Sequence, residues 1–591
     1  MSVTSVAVEP VEPSPPATRR PRGLRLRWEA LFVVLGSVGL TCWVNRAALS
    51  GLTTRVAGDL GDPLYFAWQL AWVRHALFTH PSGLWTTPAF SQTPNNLAFT
   101  DVVFGYTPLG LFVGDGQGGA LALLNLAGLA AVSMSIVGGY ALGRAMGGGW
   151  AGGLVAGAGF AFAPWRLEQL IHINVVSTGG IALSLAFLAR GNGWSLARGW
   201  EPERMSPRWI VAGWVVACYQ LTFGWATGIW FVYTLGLPMV LWTAGWLVLG
   251  RRRARLPRRV LVAHGAGGLA FAVTGVLLLQ PFLKVIAEHP EAKRGENWLP
   301  LFSPPWRGLL TAPLTDWFWG DRQQAWHRTL TWPPEMILSP GIVLLVLALT
   351  GVFFSAWPWA RRLGLVATTA ALTVLTMGTA FPLGHGEWTY LPLFRHLPGW
   401  SALRTPGRLM IWVTLGLALL AAGAVARFYR ELRPSSGHPP LLRRLLAGAA
   451  VVLALVPTAV VVGEGYNKTN HWTVATSPVK LAALRQPILL LPTDLVGDYH
   501  MMLWGTEGWP VLANGSSGFD PPGQAALRAE AATFPDATSV QALRARGILT
   551  VVIIRSRAIG GAWSGAADRP VDGLGITRTD YGDGVVYSLS P

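Results

Sequence analysis

The chain has 591 residues, 51% hydrophobic and 13% charged, with 30 tryptophans and a net charge of +17. Soluble domains carry about 25% charged residues, so this composition is that of a membrane protein and excludes an ordinary soluble enzyme. The two cysteines, Cys42 and Cys218, lie far apart inside apolar runs, which gives no basis for a disulfide framework or a zinc site.

The first residues, with PVEPSPPATRRPRGLRLR, are rich in proline and arginine, and the apolar run after them lacks a small-residue cleavage site. Residues 1–29 therefore read as a cytoplasmic tail leading into a retained first span. Segments near the roughly 17–25 apolar residues that a spanning helix needs predict about eleven spans. They lie near 30–47, 120–143, 148–164, 173–189, 209–223, 227–249, 260–282, 337–357, 363–382, 409–426 and 445–463. An odd number puts the termini on opposite sides. The connections RGNGWSLARGWEPERMSPR, RRRARLPRR and RFYRELRPSSGHPPLLRR fall on the N-terminal side, which the positive-inside rule makes cytoplasmic, as expected for a multi-pass protein of the plasma (inner) membrane. The positive charge is thus a topology signal, and no nucleic-acid partner is expected.

The outer face carries the long segments 48–119, 283–336, 383–408 and 464–591, and long ordered loops usually carry function. In the last of these, PILLLP, GWPVLAN and ILTVVII read as short buried strands, and 524–532 and 539–546 as helices. The predicted fold is an all-α polytopic membrane domain over 30–463 with a small C-terminal extracytoplasmic α/β domain over 464–591. In GRAMGGGWAGGLVAGAGFAFA, small residues permit close helix packing.

The segment GDLGDPLYFAWQLAWVRHAL places Asp59 and Asp62 just beyond the first span. The spacing of its aromatic and aliphatic residues predicts a helix lying along the outer leaflet. Asp62 would be its N-cap and Pro63 its first residue. Asp101 precedes an apolar stretch too short to span, an interfacial or re-entrant element. Two acids at the membrane surface suit proton abstraction from an acceptor hydroxyl, although capping explains both equally well.

Arg166 and His172 follow at the next outer turn, and Arg404 and Arg408 lie four apart, expected on one helix face. Guanidinium groups offer a bidentate fork to phosphate, whereas snorkelling to headgroups is the ordinary use of such arginines. The loop after 283 holds Glu288 and His289 among five tryptophans, Trp298 and Trp317 included, a composition suited to sugar rings or to an interfacial belt. HExxH, Walker and GxSxG patterns are missing from the sequence.

Together, GDPLYFAWQLAWVRHAL, PNNLAFTD, PWRLEQLIHINVVSTG, SALRTPGRL and VLANGSSGFDPP…FPDATSVQALRARGILTVVI resemble bacterial multi-pass GT-C-type glycosyltransferases, especially the actinobacterial membrane proteins related to the YfhO-like group. The resemblance implies a catalytic acid in the first large outer loop, a polyprenyl-phosphate sugar donor in the bilayer and a glycan or lipid acceptor of the cell envelope. By position the acid is Asp62 or Asp59, with Asp101 as a second acidic member. Arg166, His172, Arg404 and Arg408 would meet the donor phosphate, and Glu288, His289, Trp298 and Trp317 would form a substrate loop. The GDP spelling departs from the paired-acid or DxD pattern of some GT-C enzymes, which leaves the base and any divalent metal ion open. A lipid-linked sugar transporter or flippase and a non-catalytic envelope assembly protein are the alternatives. The sequence shows no inverted repeat, and its acids sit in outer loops and not in mid-span, which favours the transferase.

Overall fold

The computed structural model describes residues 22–245, 256–434, 437–466 and 468–589. Most of the Pro/Arg-rich tail, the Arg-rich residues 251–255 and residues 246–249 of the sixth predicted span lie outside the described residues. Each predicted span falls on a helix. These are α1 (Arg22–Val44), α3 (Gly116–Ala145), α4 (Gly149–Ala161), α5 (Gly179–Gly191), α6 (Pro207–Leu221), α7 (Trp225–Gly245), α8 (Arg258–Glu288), α9 (Ile342–Phe353), α10 (Trp359–Thr376), α11 (Met410–Glu431) and α12 (Pro440–Glu464). Six segments among the described residues are long and apolar enough to cross a membrane. Helices α4, α6 and α9 have only 13, 15 and 12 residues, short of a full crossing, so helix length supports several spans but not a count of eleven.

Two classes of helix surface follow from composition. Helix α11 is buried over Met410–Gly416 and Ala418–Ala426, and packs against α4, α9 and α10. The glycine-rich run does permit close approach: a Cβ on Gly139 would stand 2.8 Å from the Ala156 carbonyl oxygen, and one on Gly157 2.6 Å from that of Ile136. The outer helices instead present large apolar side chains, such as Leu269, Val276 and Leu277 on α8 and Leu445 and Val452 on α12. Outward Leu and Val on long helices is what lipid as solvent requires.

The first outer segment departs from expectation. Helix α2 (Asp62–Thr79) does not lie along a leaflet. Every residue from Pro63 to Val73 is buried, because the helix is apolar all round and is sandwiched between α3 and helix α13 (Gly497–Trp504) of the C-terminal domain. The stretch after Asp101 forms no long helix, only a short 3-10 turn at Thr107–Phe112 whose Leu111 and Phe112 are exposed.

The C-terminal region carries a four-stranded sheet in the order β3 (Ile488–Leu491), β4 (Thr550–Ile554), β6 (Gly584–Ser588) and β5 (Thr577–Tyr581). Strands β3 and β4 are parallel and wholly buried; the other pairs are antiparallel. The helices expected at 524–532 and 539–546 are α14 (Pro522–Ala531) and α15 (Ala537–Ala545), the latter opened by an Asp536/Ser539 capping box. GWPVLAN is not a strand and makes only an isolated bridge, Ile488 to Leu512. A small antiparallel pair, β1 (Arg55–Ala57) with β2 (His471–Thr473), ties the first outer loop to this region.

Candidate active site

Asp62 is the first residue of α2, after an N-cap at Gly61, and its side chain makes no capping hydrogen bond. The expected cap is therefore absent, and the carboxylate is turned elsewhere. Its Oδ2 lies 2.9 Å from Nε2 of His172, with 43% of the Asp62 side chain still exposed. His172 sits where two short helical turns, Gln169–Ile171 and Ile173–Val176, meet. Its Nδ1 is 2.8 Å from Oε1 of Gln169, whose amide nitrogen donates to the Pro334 carbonyl. That second bond fixes the amide's orientation, so both ring nitrogens of His172 face oxygen atoms, Asp62 Oδ2 on one side and Gln169 Oε1 on the other.

Arg408 and Arg404 lie near enough to Asp62 for their charges to act on it. Arg408 is bonded through Nε (3.2 Å) and a terminal nitrogen to the buried carboxylate of Glu335. Arg404 has no hydrogen bond or ion pair among the described residues, and lies over the rings of Phe302 (4.8 Å) and Trp298 (5.6 Å). Arg294 donates only a long bond, 3.4 Å, to the Ala402 carbonyl. Burial, together with the charges of Arg404 and Arg408, pushes Arg294 down to about 10. Burial and neighbouring Arg408 likewise lower Arg404, against the opposing pull of Glu335 and Asp62. Cations crowded this way form a site for an anion. For Asp62, burial opposes ionisation, but the His172 hydrogen bond and the charges of His172, Arg408 and Arg404 outweigh it and hold the carboxyl below its ordinary range.

The remaining predicted residues divide. Arg404 and Arg408 join the cluster but not from one helix face: Arg404 precedes the 3-10 turn Pro406–Leu409, and Arg408 lies within it. Trp298 joins as the surface under Arg404. Asp59 is exposed and accepts from the Gly61 amide (2.8 Å), shaping the turn before Asp62. Asp101 does cap a helix, though not the one expected. Its carboxylate accepts from the amides of Trp225 (2.6 Å) and Ala226 (2.9 Å) at the start of α7, and from Asn174 (2.9 Å), which leaves it filled as a hydrogen-bond acceptor. Gln69 holds its backbone in place.

Arg166 is a correction. It neither snorkels nor reaches the cluster: it is 3% exposed, donating to Thr178 (3.0 Å), Ser135 (2.9 Å) and the Val176 carbonyl (2.7 Å). It is a strut between α3 and the segment entering α5. Arg166→Ala is expected to destabilise the protein by about 2 kcal/mol or more through the cavity and the orphaned carbonyl. Thermal unfolding of the purified variant would show the loss. Glu288 is exposed at the end of α8. His289 pairs with Glu291 (3.1 Å) and packs on Phe99 and Phe519. Trp317 bonds the Gly463 carbonyl at the outer end of α12. These three do not meet Asp62.

Sequence reasoning missed Arg294, Glu335, Gln169 and Tyr499. Only contacts across more than 70 residues of chain separate these from other loop polars. Among the described residues no group of three or more His, Cys, Asp or Glu side chains could hold a metal ion.

No protein-family model matches the sequence, and no curated protein matches it. Among solved structures, the arabinofuranosyltransferase AftD from Mycobacteria matches with a TM-score of 0.54 at 17% identity, over 96% of this chain and 42% of that one. The fold is of the GT-C glycosyltransferase type. ArnT from Cupriavidus metallidurans bound to undecaprenyl phosphate matches at a TM-score of 0.45 and 14% identity, over 95% of this chain and 98% of that one. AglB from Archaeoglobus fulgidus, an oligosaccharyltransferase in complex with an inhibitory peptide and a dolichol-phosphate, matches at 0.41 and 12%, over 90% and 70%. The AftD match carries the fold assignment.

Proposed function

We propose that this chain is a membrane glycosyltransferase that moves a sugar from a polyprenyl-phosphate donor to a hydroxyl of a cell-envelope glycan or lipid, on the outer face of the plasma membrane. The observation that carries the reading is the pairing of a half-exposed, ionised Asp62 with arginines that lack a full set of counter-charges. The fold shared with AftD supports sugar transfer as the reaction class.

In the proposed step, Asp62 takes the proton of the acceptor hydroxyl as that oxygen attacks the anomeric carbon. The bond from that carbon to the phosphate oxygen breaks, and its electron pair leaves with the phosphate. Arg404 and Arg294 stabilise the departing charge. Direct displacement inverts the configuration at the anomeric carbon. Arg408, locked to Glu335, sets the position of the cluster.

A panel of radiolabelled polyprenyl-phosphate sugars, offered with envelope acceptors to the protein in nanodiscs, tests the reading. Transfer from at least one donor is the expected result; movement of the lipid between leaflets without transfer would replace it with a flippase. Arg404→Ala should weaken undecaprenyl phosphate binding by about tenfold, the scale of one charge-assisted contact, and a lipid titration of the purified variant checks this.

A further inference from the structure

The C-terminal domain reaches into this site. Its helix α13 packs on α2, and the ring of Tyr499 meets that of Tyr65 edge-on at 5.4 Å. On α13, Asp498, His500, Met501, Met502, Leu503 and Trp504 are all buried. Tyr499 is the one side chain of that helix left partly open, close enough to Asp62 and Arg404 to feel both charges. Burial and the Asp62 charge raise its phenol above the ordinary tyrosine value, so at neutral pH it is an O–H donor.

The loop beside Tyr499 is held from both sides. Asn514 bonds the backbone of Leu490 in both directions (2.7 and 2.9 Å) and donates to Asp498 (2.8 Å), while Ser516 donates to the Leu495 carbonyl (2.5 Å). Towards the membrane domain, a Cβ on Gly515 would stand 2.4 Å from Phe90, and one on Gly518 2.7 Å from the Phe99 carbonyl oxygen. Phe90, Ser91 and Gln92 all have positive φ (54°, 51° and 61°), costly for residues with a Cβ. Backbone bonds of Phe90 to Asn514 (3.0 Å) and Ser91 to Leu512 (2.8 Å) hold two of them there. Strain kept in place by a second domain is a mark of a preorganised junction.

We propose that Tyr499 forms part of the acceptor half of the active site, binding a hydroxyl-bearing glycan beside Asp62 and presenting one hydroxyl to it. This rests on the reading of Asp62 as the base. A phenol offers a sugar both an apolar ring face and a hydrogen bond.

The test uses the full chain in nanodiscs, with two probes: undecaprenyl phosphate, and a panel of linear oligosaccharides of arabinose, mannose, glucose and galactose followed by saturation-transfer NMR. Tyr499→Phe should weaken oligosaccharide binding by about three- to tenfold, and Tyr499→Ala by more, with undecaprenyl phosphate affinity held within about twofold. Arg404→Ala should do the reverse. Tyr499→Phe keeps the packing on Tyr65, and an unchanged melting temperature confirms its fold. Unchanged oligosaccharide binding in both Tyr499→Phe and Tyr499→Ala, or a wild type that binds none of the panel, overturns the proposal. So does an equal loss of both probes, which would move Tyr499 to the donor side. If undecaprenyl phosphate fails to bind the wild type while oligosaccharide binding still depends on Tyr499, the donor reading falls and the glycan site stands.

Discussion

Asp62→Asn is expected to lower sugar transfer by about 10²–10⁴-fold, the usual contribution of a positioned general base, with the fold and undecaprenyl phosphate binding retained. The isosteric amide still accepts from His172 but cannot take a proton from the acceptor. Retention is expected because Asp62 makes no capping bond to α2 and its side chain is 43% exposed. Removing its charge therefore leaves no buried group unpaired. Full transfer by a folded Asp62→Asn protein would remove Asp62 as the base.

The same site fixes a sign for the pH dependence. Asp62 works when deprotonated, and its partners hold it below its ordinary value of 3.8. Transfer by the wild type should therefore persist as the pH falls towards that value and be lost only below it. Replacing His172 by Gln removes the largest of the groups that favour the carboxylate, and the acid limb of kcat/KM should move up. An unmoved limb in a folded His172→Gln protein would show that His172 orients Asp62 without tuning it.

The membrane domain was legible because it obeys one rule at a time. Apolar length locates helices whatever they pack against. The rule failed at α2, where the residues suit an interface and a buried sandwich equally. Only the presence of α13 on its far side, more than 400 residues later in the chain, distinguishes the two. Asp62 was legible as an acid next to a helix start, but local rules made it a cap. What frees it is that His172, brought in by the turn at Gln169, offers a stronger partner than the helix amides. Arg166 and Arg404 carry the same signal in sequence, an arginine at an outer helix end. Burial among Ser135, Thr178 and the Val176 carbonyl, against a half-buried place beside Arg294 without a hydrogen-bond partner among the described residues, is a tertiary difference that no local pattern records.

Glu335→Gln is expected to cost about 3 kcal/mol of stability in the lipid-free protein, read as a fall in melting temperature. Glu335 and Arg408 are 6% and 17% exposed at their side chains, and breaking a buried pair by removing one partner typically costs about 3–5 kcal/mol, because the other charge is left uncompensated. Partial exposure of Arg408 puts the expectation at the lower end. Burial opposes ionisation of Glu335, but Arg408, with help from His172 and Arg404, wins and lowers it. Its contribution is therefore complete above the ordinary value of 4.5 and is lost as the pH falls through the lower folded value. Glu335→Gln also removes a negative charge from a cluster built for an anion. Undecaprenyl phosphate should then raise the melting temperature of the variant by more than it raises that of the wild type, since the bound phosphate supplies what the glutamate gave up. Replacing both partners by Met should recover stability, as buried pairs often can be replaced by well-packed apolar groups, without recovering the larger lipid response. Equal lipid increments in Glu335→Gln and wild type would mean that the phosphate binds away from Arg408, and would confine the donor site to Arg404 and Arg294.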